Sequence, residues 1–291
     1  LTPVLAANTL EGSLVVGPEE VPMPLAFVRS PLRAGCRASI LAVGAWLAVG
    51  CSAGSTGLQE VRAVGDPGQP LVSPRWTGDG RLLAAGRGGQ GRYTLDLEAG
   101  RLEPVPDARE PKLEAPTTLA GALDLEGEVL WSQEGAAVLW DEYRGRLVHR
   151  TAAGSRLLAE AGACGAQVAR TGAVAFCTGP RLTARLHVFL PERGAAGLLD
   201  LGPGVDPAWF PGGDLLVYAI ATWGDRPDSP VEQSDLHLWE PGSGRRIQLT
   251  ATPDVAELQP TVAPDGSRLA YADWRSGRLF VAAWGGLPAA P

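Results

Sequence analysis

Residues 260–271 read Pro260-Thr261-Val262-Ala263-Pro264-Asp265-Gly266-Ser267-Arg268-Leu269-Ala270-Tyr271, and the same phrase occurs twice more without a gap. One copy runs Pro74, Trp76, Gly78-Asp79-Gly80, Leu82-Leu83-Ala84; the other runs Pro207, Trp209, Pro211-Gly212-Gly213, Leu215-Leu216-Val217-Tyr218. Each copy reads as a short strand, a tight turn and a second strand. Proline presets a negative φ, aspartate bonds its own backbone, and glycine takes the positive φ that other residues resist. Repetition at this scale implies an array of small sheets.

Two degenerate copies lie between the clear ones. Gly127 is followed by Val129-Leu130-Trp131 and Gly172 by Val174-Ala175-Phe176, with Leu123 and Val168 four positions before the respective glycines. The phrase starts fall at 74, 121, 166, 207 and 260, spaced by 47, 45, 41 and 53 residues, the period of a propeller blade. Alternating third strands are expected at Tyr93–Leu97, Val138–Asp141, Leu186–Phe189, Leu236–Trp239 and Leu279–Ala282. Gly100-Arg101, Gly145-Arg146 and Gly244-Arg245 lead into fourth strands at Leu102–Val105, Leu147–His149 and Ile247–Thr250. The fifth unit stops after its third strand, and Leu58–Val64 alternates like a fourth strand with no hairpin of its own. An all-β fold follows: a β-propeller of four-stranded blades, five by this count with six as the alternative, its ring closed by an N-terminal strand. The propeller domain spans 58–291, and Pro106–Pro116 reads as a polar connection between blades.

The phrases resemble the TolB-like (WD-like) propeller repeat, whose hallmark is a Ser/Ala-Pro-Asp-Gly turn before an apolar strand. Ala263-Pro264-Asp265-Gly266 carries that turn, Phe210-Pro211-Gly212-Gly213 lacks the Asp, and Thr77-Gly78-Asp79-Gly80 lacks the Pro. The resemblance covers residues 58–286 and implies a periplasmic propeller that binds other proteins or envelope components. It does not imply an enzyme, and it does not fix the partner.

The N-terminal region carries a separate signal. After Met23, the only methionine, come Arg29, Arg33 and Arg37 and then the apolar run Ala38–Val49. That run has the length of a signal-peptide core and is short for a spanning helix. It ends Leu47-Ala48-Val49-Gly50-Cys51, which resembles the bacterial lipobox, with Ala48 where leucine is preferred. The expected organisation is a lipoprotein signal over 23–50, lipidation of Cys51, and a Ser/Gly/Ala tether over 51–57. Residues 1–22 then read as translated upstream sequence. A buried apolar helix ending in Gly-Cys is the competing reading.

Composition and charge exclude several functions. The 291 residues include 38 Gly, 25 Pro and 6% aromatics, with a net charge of −7 and Lys112 as the only lysine. No basic stripe exists for a nucleic acid, and Lys112 sits in no phosphate-cradling loop. No cofactor is implied. His149, His187 and His237 are scattered singly, and no Cys-x-x-Cys pattern exists, so no metal site is expected. Cys164 and Cys177 flank the turn at Arg170-Thr171-Gly172. They are placed nearly opposite one another on antiparallel strands, either as a disulfide or as two buried thiols.

One per blade, Asp79, Asp214 and Asp265 are read as turn residues rather than catalytic ones. The partner surface is placed on the second-to-third strand connections: Gly86–Gly91, Ser132–Gly135, Thr178–Arg185, Ala221–Asp235 and Asp273–Gly277. The fourth is the longest and holds Trp223, Asp225, Arg226, Asp228 and Glu232; Arg181, Trp274 and Arg275 lie on neighbouring loops. Exposed Trp and Arg are common binding anchors. The competing readings are a solvated insertion with both tryptophans packed on blade edges, and a hydrolase using Asp225, Asp228 and Glu232. The expectation is a monomeric, lipid-anchored, non-enzymatic scaffold of the bacterial envelope. It would face the periplasm from the outer membrane and bind an envelope or cell-wall-associated protein.

Overall fold

The structure is a computed structural model that describes residues 57–65, 68–88, 91–98, 101–105, 128–133, 135–141, 143–224 and 231–287. The expected signal, Cys51, the tether over 51–56, the Pro106–Pro116 connection, Asp225, Arg226 and Asp228 fall outside these residues, as does the side chain of Arg181.

Among the described residues, twenty strands form five antiparallel four-stranded sheets. Strand β1 (Leu58–Val64) precedes the first blade, which consists of β2 (Leu71–Trp76), β3 (Leu82–Gly86), β4 (Arg92–Asp96) and β5 (Arg101–Val105). Blade two is β6 (Glu128–Gln133), β7 (Ala136–Asp141), β8 (Arg146–Thr151) and β9 (Gly154–Ala159). Blade three is β10 (Cys164–Val168), β11 (Val174–Thr178), β12 (Arg185–Phe189) and β13 (Leu198–Pro203). Blade four is β14 (Val205–Trp209), β15 (Leu216–Trp223), β16 (Val231–Trp239) and β17 (Arg246–Gln248). Blade five is β18 (Glu257–Val262), β19 (Arg268–Asp273) and β20 (Leu279–Trp284), completed by β1, which pairs with β20 from Leu58↔Trp284 to Val64↔Leu279. The chain is a five-bladed β-propeller, closed as expected by its N-terminal strand.

Period-two alternation explains how the blades hold together, because the middle strands are buried on both faces. Leu216 and Tyr218 of β15 point into a cluster with Ala175, Leu186 and Val188 of blade three. Val217 and Ala219 of the same strand point the other way, into a cluster with Leu258, Leu269 and Tyr271 of blade five. The opposite face of β19, Ala270 and Ala272, packs with Leu71, Leu82 and Leu95 of blade one. Val138, Leu147 and Leu158 of blade two meet Val174 and Phe176 of blade three in the same way. Each cluster joins two neighbouring sheets.

The recurring turn behaves as its chemistry dictates. In four blades a glycine N–H donates back three residues: Gly80 to Thr77 O at 2.9 Å, Gly172 to Ala169 O at 2.9 Å, Gly213 to Phe210 O at 2.9 Å and Gly266 to Ala263 O at 2.8 Å. All four glycines hold positive φ, between 72° and 83°. Asp265 accepts from the Ser267 N–H at 3.0 Å and the Ser267 hydroxyl at 2.7 Å, and Asp79 accepts from the Thr77 hydroxyl and from Arg81 Nε at 2.8 Å. These aspartates are engaged in shaping their turns.

Blade two departs from the expected alignment by one strand. Val129–Trp131 lies in the first strand of its described sheet rather than the second, Val138–Asp141 in the second, and Leu147–His149 in the third; β9 was not anticipated. The first hairpin closes between Gln133 and Ala136, with Gly135 at φ 77°. Leu123 and Gly127, which suggested the turn, lie outside the described residues. The β7–β8 turn grips the segment entering β10, where Ala163 N–H donates to Gly145 O at 2.9 Å. In blade five the β19–β20 turn does the same for β2, where Leu71 N–H donates to Gly277 O at 2.7 Å. The two turns are therefore equivalent second-to-third connections. Ser132–Gly135 lies at the other end of the ring, and Asp141–Gly145 takes its place.

Candidate functional site: the junction of blades four and five

The expected loop Ala221–Asp235 is mostly hairpin. Strands β15 and β16 have eight and nine residues, and their pairing continues through Ala221↔Ser234 and Thr222↔Gln233 to Trp223↔Val231. Corresponding strands in the other blades have five or six residues. Blade four therefore extends past its neighbours at the end of the ring that carries the second-to-third strand turns.

Four of the anticipated residues come together there. Exposed Arg275, on the β19–β20 turn, donates from its guanidinium to the main-chain oxygens of Glu232 in β16 and of Pro253, the latter at 3.0 Å. That contact fastens the extended hairpin of blade four to blade five. The Trp274 main-chain N–H donates to Ala256 O at 2.9 Å. The Trp274 ring lies under the guanidinium of Arg87 from blade one, 5.0 Å from the centroid, and Arg87 Nη2 donates to Trp274 O at 2.8 Å. Trp223 and Trp274 are both half-buried against the core between blades four and five. They pack at their blade edges, and each residue as a whole stays partly exposed. Arg181 starts a 3-10 turn, Arg181–Thr183, on blade three, apart from this junction.

Beneath the hairpin lies a group of acids that the sequence did not single out. Glu257, the first residue of β18, is fully buried, and its strand partner Asp273 is 4% exposed. The Thr252 hydroxyl donates to Glu257 Oε1, while Oε2 and Asp235 Oδ1 are buried with no hydrogen-bond partner. Buried Ser234 donates to the Glu257 main-chain oxygen at 2.5 Å. Burial is the first cause that pushes the Glu257 carboxyl up to about 8, and the charges of Asp235 and Asp273 add to it; the Thr252 hydrogen bond opposes. At neutral pH Glu257 is a buried neutral acid. Asp273 is differently placed: it accepts from the N–H groups of Ala256, Arg275 and Ser276 at 3.0, 3.0 and 3.2 Å and from the Ser276 hydroxyl. That set shapes the turn presenting Trp274 and Arg275. Sealed from solvent, Glu257 supports the surface from beneath.

A second feature lines the first strands, which pack on one another around the ring from β6 through β10, β14 and β18 to β2. Four of these strands hold a positive-φ residue at a bulge: Ser73 at 53°, Gly165 at 59°, Asp206 at 52° and Gln259 at 54°. Ser73, Asp206 and Gln259 each precede the proline that opens the repeated phrase. Asp206 Oδ2 accepts from Gln259 N–H at 3.1 Å, and Gln259 Oε1 accepts from Ser73 N–H at 2.7 Å. Each side chain caps the bulge of the next blade. Gly165 cannot continue this relay, and Cys164 stands beside it.

Cys164 and Cys177 are strand partners directly opposite one another, as the turn between them implied, and both are free thiols in this structure. Among the described residues, no three His, Cys, Asp or Glu side chains gather as a metal ion would need. Each histidine packs on a ring instead: His149 on Phe189, His187 on Phe176 and His237 on Tyr218. Among the described residues no helix is long and apolar enough to cross a membrane.

Several solved propellers are similar to this chain. TolB from Acinetobacter baumannii is 13% identical over 74% of this chain and 54% of its own, with a TM-score of 0.36. The match thus spans about half of that TolB chain. The Cps50 (Swd1) β-propeller domain of Myceliophteria thermophila is 15% identical over 75% and 84%, with a TM-score of 0.40. An oligogalacturonate lyase in complex with manganese is 14% identical over 68% and 60%, with a TM-score of 0.33. No family model and no curated protein matches the sequence. At such identities the likeness concerns the fold alone, and the functional reading has to come from the site.

Proposed function

We propose that this propeller is a non-enzymatic protein-interaction module of the bacterial envelope that docks its partner on the junction of blades four and five. The observation that carries this reading is the extended β15–β16 hairpin, fastened to blade five by Arg275 beside the half-buried rings of Trp223 and Trp274. A half-buried tryptophan held by its own blade loses little freedom on binding, which favours its use as an anchor. Glu232 of β16 and the polar sequence that follows Trp223, with Asp225, Arg226 and Asp228, give the partner charged groups to meet. The partner is an envelope or cell-wall-associated protein, met by a monomeric propeller held on the outer membrane, facing the periplasm, through lipid on Cys51.

Binding is tested with the full chain against membrane extracts by cross-linking and then by titration of the captured protein. Saturable binding that weakens at least tenfold in Trp223→Ala and in Trp274→Ala supports the reading. Cleavage of an oligosaccharide that stops in Asp225→Asn or Glu232→Gln would replace it with the hydrolase reading. The anchor is tested separately by fatty-acid labelling in a bacterial host: Cys51→Ser is expected to abolish the label, and undiminished labelling overturns the assignment.

A further inference from the structure

The Cys164–Cys177 pair carries a property that neither the fold nor the docking surface requires. Directly opposite residues in an antiparallel pair have Cα atoms about 4.5–5.5 Å apart, within the range that a disulfide spans. Cys164 is exposed and Cys177 is buried at 3%. The Cys164 sulfur lies 3.6 Å from the Cys177 main-chain oxygen. Gly165 leaves room on the other side: a Cβ there would stand 3.6 Å from the Cys177 sulfur. We propose that Cys164 and Cys177 form a thiol–disulfide couple, with Cys164 as the attacking thiol and Cys177 as the resolving one.

The chemistry follows from the unequal settings of the two sulfurs. A hydrogen bond from the Cys177 thiol is the first cause that brings the Cys164 thiol down to about 7, against burial and the negative charge of Asp206. The same contact, followed by burial, pushes Cys177 up. Near neutral pH Cys164 is therefore the sulfur of the pair that ionises, about half of it as thiolate, while Cys177 holds its proton. The oxidant is a small-molecule disulfide such as oxidised glutathione. The Cys164 thiolate attacks one of its sulfurs, forming a mixed disulfide and releasing one thiolate. The Cys177 thiol then loses its proton to that thiolate and attacks the Cys164 sulfur, expelling the second. Two protein thiols are oxidised to one disulfide, and one glutathione disulfide is reduced to two thiols. The product ties the first strand of blade three to its second beside the Asp206 bulge.

The test is peptide mapping of the full chain after exposure to oxidised glutathione, acid quench, alkylation and trypsin. Cleavage at Arg156, Arg170 and Arg181 places the two cysteines on separate peptides, 157–170 and 171–181. The expected product is those two peptides joined, and separated again by dithiothreitol. Cys177→Ser is expected to stop at a glutathione adduct on Cys164. In the reduced folded protein at pH 7, Cys164 should be alkylated more than roughly tenfold faster than Cys177. Two results would overturn the proposal: both cysteines alkylated as thiols after oxidation, or a wild-type product in which either is joined mainly to Cys36, Cys51 or glutathione.

Discussion

Replacing Glu257 with glutamine tests the buried acid beneath the docking surface directly. The carboxyl moves from its ordinary 4.5 to about 8 on folding, mainly through burial, with Asp235 of β16 and Asp273 of β19 adding to the effect. Between those two values the folded chain keeps a proton that the unfolded chain has released, so stability falls as pH rises. At about 1.4 kcal/mol for each pH unit, the whole window is worth about 5 kcal/mol, lost progressively and complete once pH exceeds 8. The Glu257→Gln side chain would keep the shape without the charge. The three histidines act in the opposite sense: burial lowers each below 6.5, so their contribution rises with pH toward that value. The difference between wild type and Glu257→Gln isolates Glu257. Urea unfolding at a series of pH values is expected to give similar midpoints near pH 5 and a variant several kcal/mol more stable near pH 9. Parallel curves, or a variant that is weaker at pH 9, would refute the buried neutral acid.

Other perturbations reach separate parts of the structure. Arg275→Ala removes the guanidinium contacts to Glu232 O and Pro253 O; the expected stability loss is about 1–2 kcal/mol. Amide exchange over 231–235 should accelerate at least tenfold, and unchanged exchange there would show that the hairpin holds itself. Gln259→Ala removes the acceptor for Ser73 N–H, a loss of about 1 kcal/mol in chemical unfolding, which Gln259→Glu should restore. Gly145→Ala would drive a Cβ into the main chain of Gly162 and Ala163, at a position with φ 64°, whereas Gly78→Ala meets nothing within 4 Å. The first should lower stability by more than about 2 kcal/mol and the second by less than about 1 kcal/mol, measured by calorimetry; equal effects would contradict the packing of that turn.

Much of the ring was legible because its signals are local. Gly80, Gly213 and Gly266 could be assigned to turns from their immediate neighbours, and all three adopt the positive φ that this requires. The match of Cys164 with Cys177 followed from the single turn between them. Blade two misled because Gly127 copies the spacing of the phrase, while the hairpin that forms uses Gly135 in a two-residue loop without proline or aspartate. Its place is fixed by Gly145 against Gly162, a contact between segments that no local pattern reports. Strand pairing also ran further than expected in blade four, shortening the Ala221–Asp235 loop. Glu257 escaped notice because it sits between Ala256 and Leu258 like any alternating polar residue. Its burial is made by Ser234 and Asp235 on the neighbouring blade and by Thr252. Arg275 reads from the sequence as a partner-binding residue, but the groups its guanidinium holds within the fold are main-chain oxygens, which leave no mark in a sequence.

The closing pair β1–β20 sets an order for folding. Every other sheet joins strands close in sequence, so blades one to four can each form from local pairings. Strand β1 precedes all of them in the chain, yet its partner Leu279–Trp284 follows all of them. Until that pair closes, the folding chain carries an orphan strand on one side and an uncapped sheet on the other, the configuration most exposed to pairing with a neighbouring chain. The final hairpin thus acts as a completeness check: a chain truncated before Leu279 leaves both edges open, and the fold registers the loss at its beginning as well as at its end.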